Sequence, residues 1–153
     1  MPRLARLPPI PFGWYYVTLR SVTNRRIFTS HAELKALLKQ LRTTLREKGA
    51  RLHAGYIAEH EAHLALQAGD GSVSAITGSL QHEYARTFNR ARDEHGSLFR
   101  LHYRAILFQH QNCSYRLHTI FIGFAASMRL KIIRMVCGGA QTRSIEEARN
   151  RTG

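Results

Sequence analysis

Between Ser30 and Gly49 the residues Leu34, Leu37, Leu38, Leu41 and Leu45 recur every three or four positions, and only an α-helix gathers that spacing onto one face. Ser30 followed three residues later by Glu33 is a capping-box start, and Gly49 is a stop, so the helix is marked at both ends. The pattern changes on either side. Trp14-Tyr-Tyr-Val-Thr-Leu-Arg20 has the aromatic and β-branched content of a strand, after an extended lead-in holding Pro8, Pro9 and Pro11 and before a basic loop from Arg20 to Arg26. Arg51 to Glu59 and Ala62 to Ala68 alternate small and apolar residues without a helical period, which predicts two strands joined by a tight polar connection. In the second of these, Ala62, Leu64 and Leu66 point one way, while Glu61, His63, Ala65 and Gln67 point the other.

Gly69-Asp-Gly71 interrupts the chain, and Val73, Ile76, Leu80, Tyr84 and Phe88 then trace a second amphipathic helix that ends in the polar stretch Asn89 to Gly96. Leu98 to Gln109 reads as a last strand with a bend. The order strand, helix, strand, strand, helix, strand predicts an α+β fold. It is a ferredoxin-like split βαβ sandwich, with an antiparallel sheet and helices on one face. The other face is left to bind something.

Charge narrows what that something is. The 153 residues carry 23 Lys+Arg against 10 Asp+Glu, a formal charge of +13. Residues 1–50 hold ten basic against two acidic groups and residues 113–153 hold seven against two, so the two ends carry the excess. Such a field favours polyanions, nucleic acid first, because neutralising phosphates releases condensed counterions. A membrane partner is disfavoured. No apolar run reaches the roughly 20 residues of a span, and the best amphipathic helix is needed for the core. The start of the chain lacks a secretory apolar region, and Cys113 and Cys137 have neither disulfide-framework nor zinc-finger spacing. The expectation is a cytoplasmic chain with two free thiols.

Two features could carry chemistry or binding. Glu61 and His63 share a strand face, so one carboxylate oxygen and one imidazole nitrogen can converge on Mg²⁺ or Mn²⁺; the same pair also suits solvated polar residues at a strand start. His60 and His63 face opposite sides unless a turn intervenes. On the first helix Lys35, Lys39, Arg42 and Arg46 form a basic stripe that fits either a phosphate contact or a solvated face. No Gly-rich phosphate loop and no Gly-x-Ser-x-Gly elbow is present, which argues against nucleotide-triphosphatase and acyl-transfer chemistry.

Several stretches together resemble the HUH-type single-tyrosine transposases, most closely their REP-associated branch. Tyr16-Val-Thr-Leu-Arg20 with Arg25-Arg26-Ile27-Phe28 resembles the family's opening strand and basic loop. Leu52-His-Ala-Gly-Tyr-Ile57 leading to His63-Leu-Ala-Leu-Gln67 is similar to its metal-site strand region, and Tyr84-Ala-Arg-Thr-Phe-Asn-Arg90 to its second helix. Gly96-Ser-Leu-Phe-Arg100 with Tyr103-Arg-Ala-Ile-Leu107 is similar to its last strand. The likeness covers residues 1 to about 108 and divides the chain into a transposase-like DNA-binding and nicking domain, 1–112, and a tail, 113–153.

The resemblance implies a ferredoxin-like homodimer acting on single-stranded or hairpin DNA. In active members two histidines flanking an apolar residue hold Mg²⁺ or Mn²⁺, and a helix-borne tyrosine attacks the polarised phosphate. Two departures stand out. Glu61 occupies the first histidine's place, with His63 retained as the second, and the family's tyrosine region reads His118-Thr-Ile-Phe-Ile-Gly-Phe124, with no tyrosine in register. Tyr115 is the C-terminal phenol available for attack, about five positions early. The tail is either a divergent native segment or the product of a reading-frame shift near residues 109–113. The expected function is therefore DNA transposition chemistry with impaired cleavage, or else a catalytically inactive DNA-binding or regulatory module on the same fold. An RNA-binding accessory protein would use the same basic sheet face. Arg20, Arg25, Arg26, Lys35, Lys39 and Arg42 are the expected phosphate contacts.

Overall fold

The computed structural model describes residues 10–23 and 25–108, together with the backbone of 132–133. The elements in chain order are β1 (Trp14–Arg20), α1 (His31–Glu47), β2 (Arg51–Ile57), β3 (Glu61–Gln67), α2 (Val73–Arg92), β4 (Arg104–Phe108) and a short β5 (Ile132–Ile133). The sheet order is β4-β1-β3-β2-β5, with antiparallel pairing throughout. The first four strands in this order, with α1 and α2 as crossovers, are the split βαβ arrangement expected from the sequence.

The core is single-sided. Tyr15, Val17 and Leu19 of β1 and Ala62, Leu64 and Leu66 of β3 are buried against Leu34, Leu37, Leu41 and Leu45 of α1 and Val73, Ile76, Leu80, Tyr84 and Phe88 of α2. The period-two and helical periods of the sequence meet here: one face of each strand and one stripe of each helix leave water together.

Both helix ends are chemically specified. Ser30 Oγ accepts the Glu33 N–H at 3.2 Å, while the Glu33 carboxylate reaches one residue further out than in a standard capping box, accepting the Thr29 N–H at 2.7 Å. At the other end Gly49 has φ +61°. Its N–H donates to Arg46 O and that of Ala50 to Leu45 O, the Schellman pairing that a left-handed residue permits.

Two local features differ from strict strand geometry. A bulge lies between Leu52 and Ala54 of β2, so His53 and Ala54 both turn from the core before alternation resumes at Gly55. The last strand also begins later than expected: Phe99 forms an isolated bridge to Ser21, and continuous pairing resumes only at Arg104, opposite Thr18. The intervening residues loop outward, with Leu101 86% exposed. Gln109 lies outside the described residues.

Candidate nucleic-acid and metal-ion face

β2 and β3 are joined by Glu59 and His60, and the Ala58 N–H donates to Glu61 O at 2.8 Å. A two-residue connection fixes register, placing Tyr56 opposite His63 and Ile57 opposite Ala62. On the other flank of β3, Arg20 pairs with Glu61, Thr18 with His63 and Tyr16 with Ala65. The sheet face turned from the helices therefore gathers Tyr16, Thr18, Arg20, Tyr56, Glu61 and His63.

His63 is held on three sides. Its ring lies on Tyr56, centroids 4.5 Å apart and planes 8° from parallel. Its Nδ1 is 2.7 Å from Tyr16 Oη and 3.4 Å from Thr18 Oγ1. Its Nε2 lies 3.1 Å from Glu61 Oε1, yet this buried nitrogen has no aligned hydrogen-bond partner. The two ring nitrogens thus face different partners, Nδ1 the Tyr16 and Thr18 hydroxyls and Nε2 the Glu61 carboxylate.

Glu61 is itself engaged. Tyr56 Oη donates to Oε1 at 3.3 Å, and Arg20 Nε lies 3.4 Å from Oε2. Burial, with the nearby Glu61 charge adding to it, pushes the phenols of both Tyr16 and Tyr56 above their ordinary range. Both remain neutral donors or acceptors rather than phenolates.

A carboxylate oxygen and an imidazole nitrogen this close together are ligand types that a hard or borderline cation accepts. Tyr16 on Nδ1 fixes the ring as the outer partners of metal-binding histidines do. The residues thus fit two ligands of Mg²⁺ or Mn²⁺. Among the described residues no group of three or more His, Cys, Asp or Glu side chains could hold a metal ion. His60 does not join the pair; its Nδ1 is 3.0 Å from Arg25 O.

The expected phosphate contacts separate into three groups. Arg20 lies beside Glu61, on the free face. Arg25 is turned inward: its guanidinium donates to Asn89 Oδ1 (2.8 Å), Glu94 Oε2 (2.6 Å), Ser97 O (3.0 Å) and Gly96 O (3.3 Å), tying the basic loop to the end of α2. Arg26 is more than half exposed and 3.3 Å from Glu59. Lys35, Lys39 and Arg42 are exposed on the outer surface of α1, in the layer opposite the free sheet face, and are not brought together with Glu61 and His63. Tyr115 and the segment His118–Phe124 lie outside the described residues.

Tyr16 and Tyr56 were not among the residues expected at the metal pair. Tyr56 could have been found by setting the hairpin connection at Glu59-His60, which makes it the cross-strand partner of His63.

No protein-family model and no curated protein matches the chain. Solved structures do. A REP-associated tyrosine transposase bound to a REP hairpin superposes with a TM-score of 0.64 at 12% identity, covering 83% of this chain and 73% of that one. A protein from Deinococcus radiodurans R1, provisionally assigned as a transposase, gives a TM-score of 0.51 at 14% identity, covering 80% of this chain and 96% of that one. The likeness is one of fold: the chain has the architecture of these transposases, as the order of its sequence motifs implied. No helix among the described residues is long and apolar enough to cross a membrane.

Proposed function

We propose that this chain binds single-stranded or hairpin DNA as a homodimer through the sheet face turned from its helices, with Glu61 and His63 as ligands of Mg²⁺ or Mn²⁺. It is a transposase-type DNA-processing protein with impaired cleavage. The observation that carries the reading is the meeting of Glu61 Oε1 and His63 Nε2 at 3.1 Å on one sheet face, on the fold of a transposase whose structure contains a bound hairpin. The charge of +13 supports a polyanionic partner.

A cation at this pair would act as a Lewis acid toward a phosphodiester. The chain's own residues prepare that position. Tyr16 holds the ring at Nδ1, away from the nitrogen that faces Glu61, Tyr56 fixes the ring plane and anchors Glu61, and Arg20 supplies a positive charge at the edge of the site. Cleavage would require a tyrosine hydroxyl to attack phosphorus, forming a phosphotyrosine and releasing the 3′ oxygen, so that no nucleotide cofactor is consumed. Tyr115 is the candidate, displaced from the family position. That displacement favours a second reading, a DNA-binding or regulatory module that has lost cleavage.

A labelled DNA hairpin incubated with the protein and Mn²⁺ distinguishes them. Impaired cleavage predicts salt-sensitive binding and a slowly formed, SDS-resistant adduct, lost in His63→Ala and Tyr115→Phe. Binding without adduct at any Mn²⁺ concentration establishes the second reading. Failure to bind the hairpin, or preference for a matched RNA hairpin in competition, overturns both.

A further inference from the structure

Beyond the metal pair, β1 ends in a small cleft built by three backbone connections. The Ser21 N–H donates to His60 O at 2.8 Å, the Val22 N–H to Leu98 O at 3.0 Å and the Arg100 N–H to Arg20 O at 2.8 Å. These ties draw the hairpin tip and the 98–100 segment against the end of β1. The resulting cavity, about 280 Å³, is lined by Arg20, Ser21, Thr23, His60, Glu61 and Arg100, with Val22 between them. The lining thus holds two guanidiniums, one carboxylate and two hydroxyls.

A second cavity, lined by Arg25, Arg26, Thr29, Phe88, Arg92 and Glu94, has more arginines but a different character. Arg92 pairs with Glu33 at 2.8 Å and Arg25 with Glu94 at 2.6 Å, and both guanidiniums lie over the Phe88 ring. That arrangement closes on itself. In the cleft at the end of β1, by contrast, Arg20 has its ion pair to Glu61 through Nε, and Arg100 uses Nε on Ser21 O at 3.3 Å. Their terminal amino groups are the part of the fork that binds phosphate oxygens.

We propose that this cleft holds a backbone phosphate of the nucleic acid, clamped between Arg20 and Arg100 next to Glu61, so that Arg100 is a strand-positioning residue. The proposal rests on the DNA-binding reading and names the contact that would set the strand's register against the metal pair. His60 Nδ1 lies 3.0 Å from Arg25 O, which holds the ring at the cleft wall.

The test is the affinity of a fluorescent DNA hairpin across a salt series for wild type and for Arg100→Ala, Arg100→Lys, Thr23→Asp and Arg46→Gln. Arg100→Ala, Thr23→Asp and Arg46→Gln each lower the net charge by one, but Arg46 lies on the exposed side of α1. Loss of one phosphate contact should flatten the slope of log K against log salt by about 1 in Arg100→Ala. Thr23→Asp should weaken binding at least as much, Arg100→Lys should restore most of the slope, and Arg46→Gln should leave it unchanged. Thr23 is exposed, so its variant keeps the test valid where Arg100→Ala folds poorly. Equal effects of Thr23→Asp and Arg46→Gln, or a wild-type slope in Arg100→Ala, overturn the clamp while leaving DNA binding standing. A wild type that does not bind the hairpin overturns the underlying reading and the clamp with it.

Discussion

The imidazole of His63 lies nearly parallel on the phenol ring of Tyr56, 4.5 Å between centroids, and the Tyr56 hydroxyl reaches past it to Glu61 Oε1 at 3.3 Å. One side chain thus sets both the plane of the imidazole and the position of the carboxylate. Tyr56 is 2% exposed, although it belongs to the sheet face turned from the helices, where it forms a small cluster with Ala65 and the partly buried Tyr16, Ala54 and Ala58.

The two functions of Tyr56 can be separated. Tyr56→Phe keeps the stack and loses one hydrogen bond, an expected cost of about 1 kcal/mol. Tyr56→Ala removes a buried aromatic ring, for which about 3–5 kcal/mol is expected. Urea unfolding of both variants provides the measurement. An alanine variant as stable as the phenylalanine one would mean that the stack contributes nothing to the fold.

Arg25 is expected to act on stability rather than on nucleic-acid affinity. Its four acceptors span Asn89 to Ser97, and the side chain is only 20% exposed. Removing a charged donor from such a set should cost about 2 kcal/mol. Arg25→Ala should therefore lower the urea midpoint while the salt slope of DNA binding stays at the wild-type value. A flattened slope at unchanged stability would return Arg25 to the phosphate contacts.

Glu33 makes stability depend on acid. Burial works against its charge, but hydrogen bonds from Arg92 and from the backbone and hydroxyl of Thr29 outweigh it and hold the carboxyl below its ordinary value of 4.5. A carboxyl whose pKa is lowered by folding stabilises the native state above the unfolded value and loses that contribution as pH falls through the folded one. Wild type should thus lose stability below about pH 4.5, and Glu33→Gln, already weaker at neutral pH, should lose less over the same interval. Parallel losses in both proteins would show that Glu33 does not couple folding to protons.

The sequence revealed the elements whose signal is periodic and concealed the contacts that depend on register. The limits of β1, the Ser30 cap, the Gly49 stop and the buried stripe from Val73 to Phe88 were all readable, because each is written in adjacent residues. The His53 bulge was not, since nothing in Leu52-His-Ala-Gly-Tyr marks where alternation slips. The proximity of Tyr16 and Tyr56 to His63 requires knowing both neighbours of β3, which only the sheet order supplies. The contacts of Arg25 were hidden for a similar reason: they depend on the end of α2 folding against the basic loop. Glu61 and His63 were legible as a pair because period two depends on the strand alone.

Tyr16 supplies the sharpest test of that pair. Its hydroxyl lies 2.7 Å from His63 Nδ1, and the phenol, held neutral by burial and by the nearby carboxylate, is placed to orient the imidazole toward Glu61. Tyr16→Phe preserves the ring and removes that contact. Outer partners of metal-binding histidines commonly contribute about 10–100-fold to affinity, so Mn²⁺ binding followed by electron paramagnetic resonance should weaken by about tenfold or more in this variant. Glu61→Gln, which withdraws a ligand charge, should weaken it further. The melting temperature of Tyr16→Phe should stay close to wild type in the absence of metal, because Thr18 Oγ1, 3.4 Å from the same nitrogen, can take over the bond. Equal Mn²⁺ affinity in wild type and Tyr16→Phe would show that Tyr16 does not orient His63 for a metal, and the metal reading of the Glu61–His63 contact would lose its outer support.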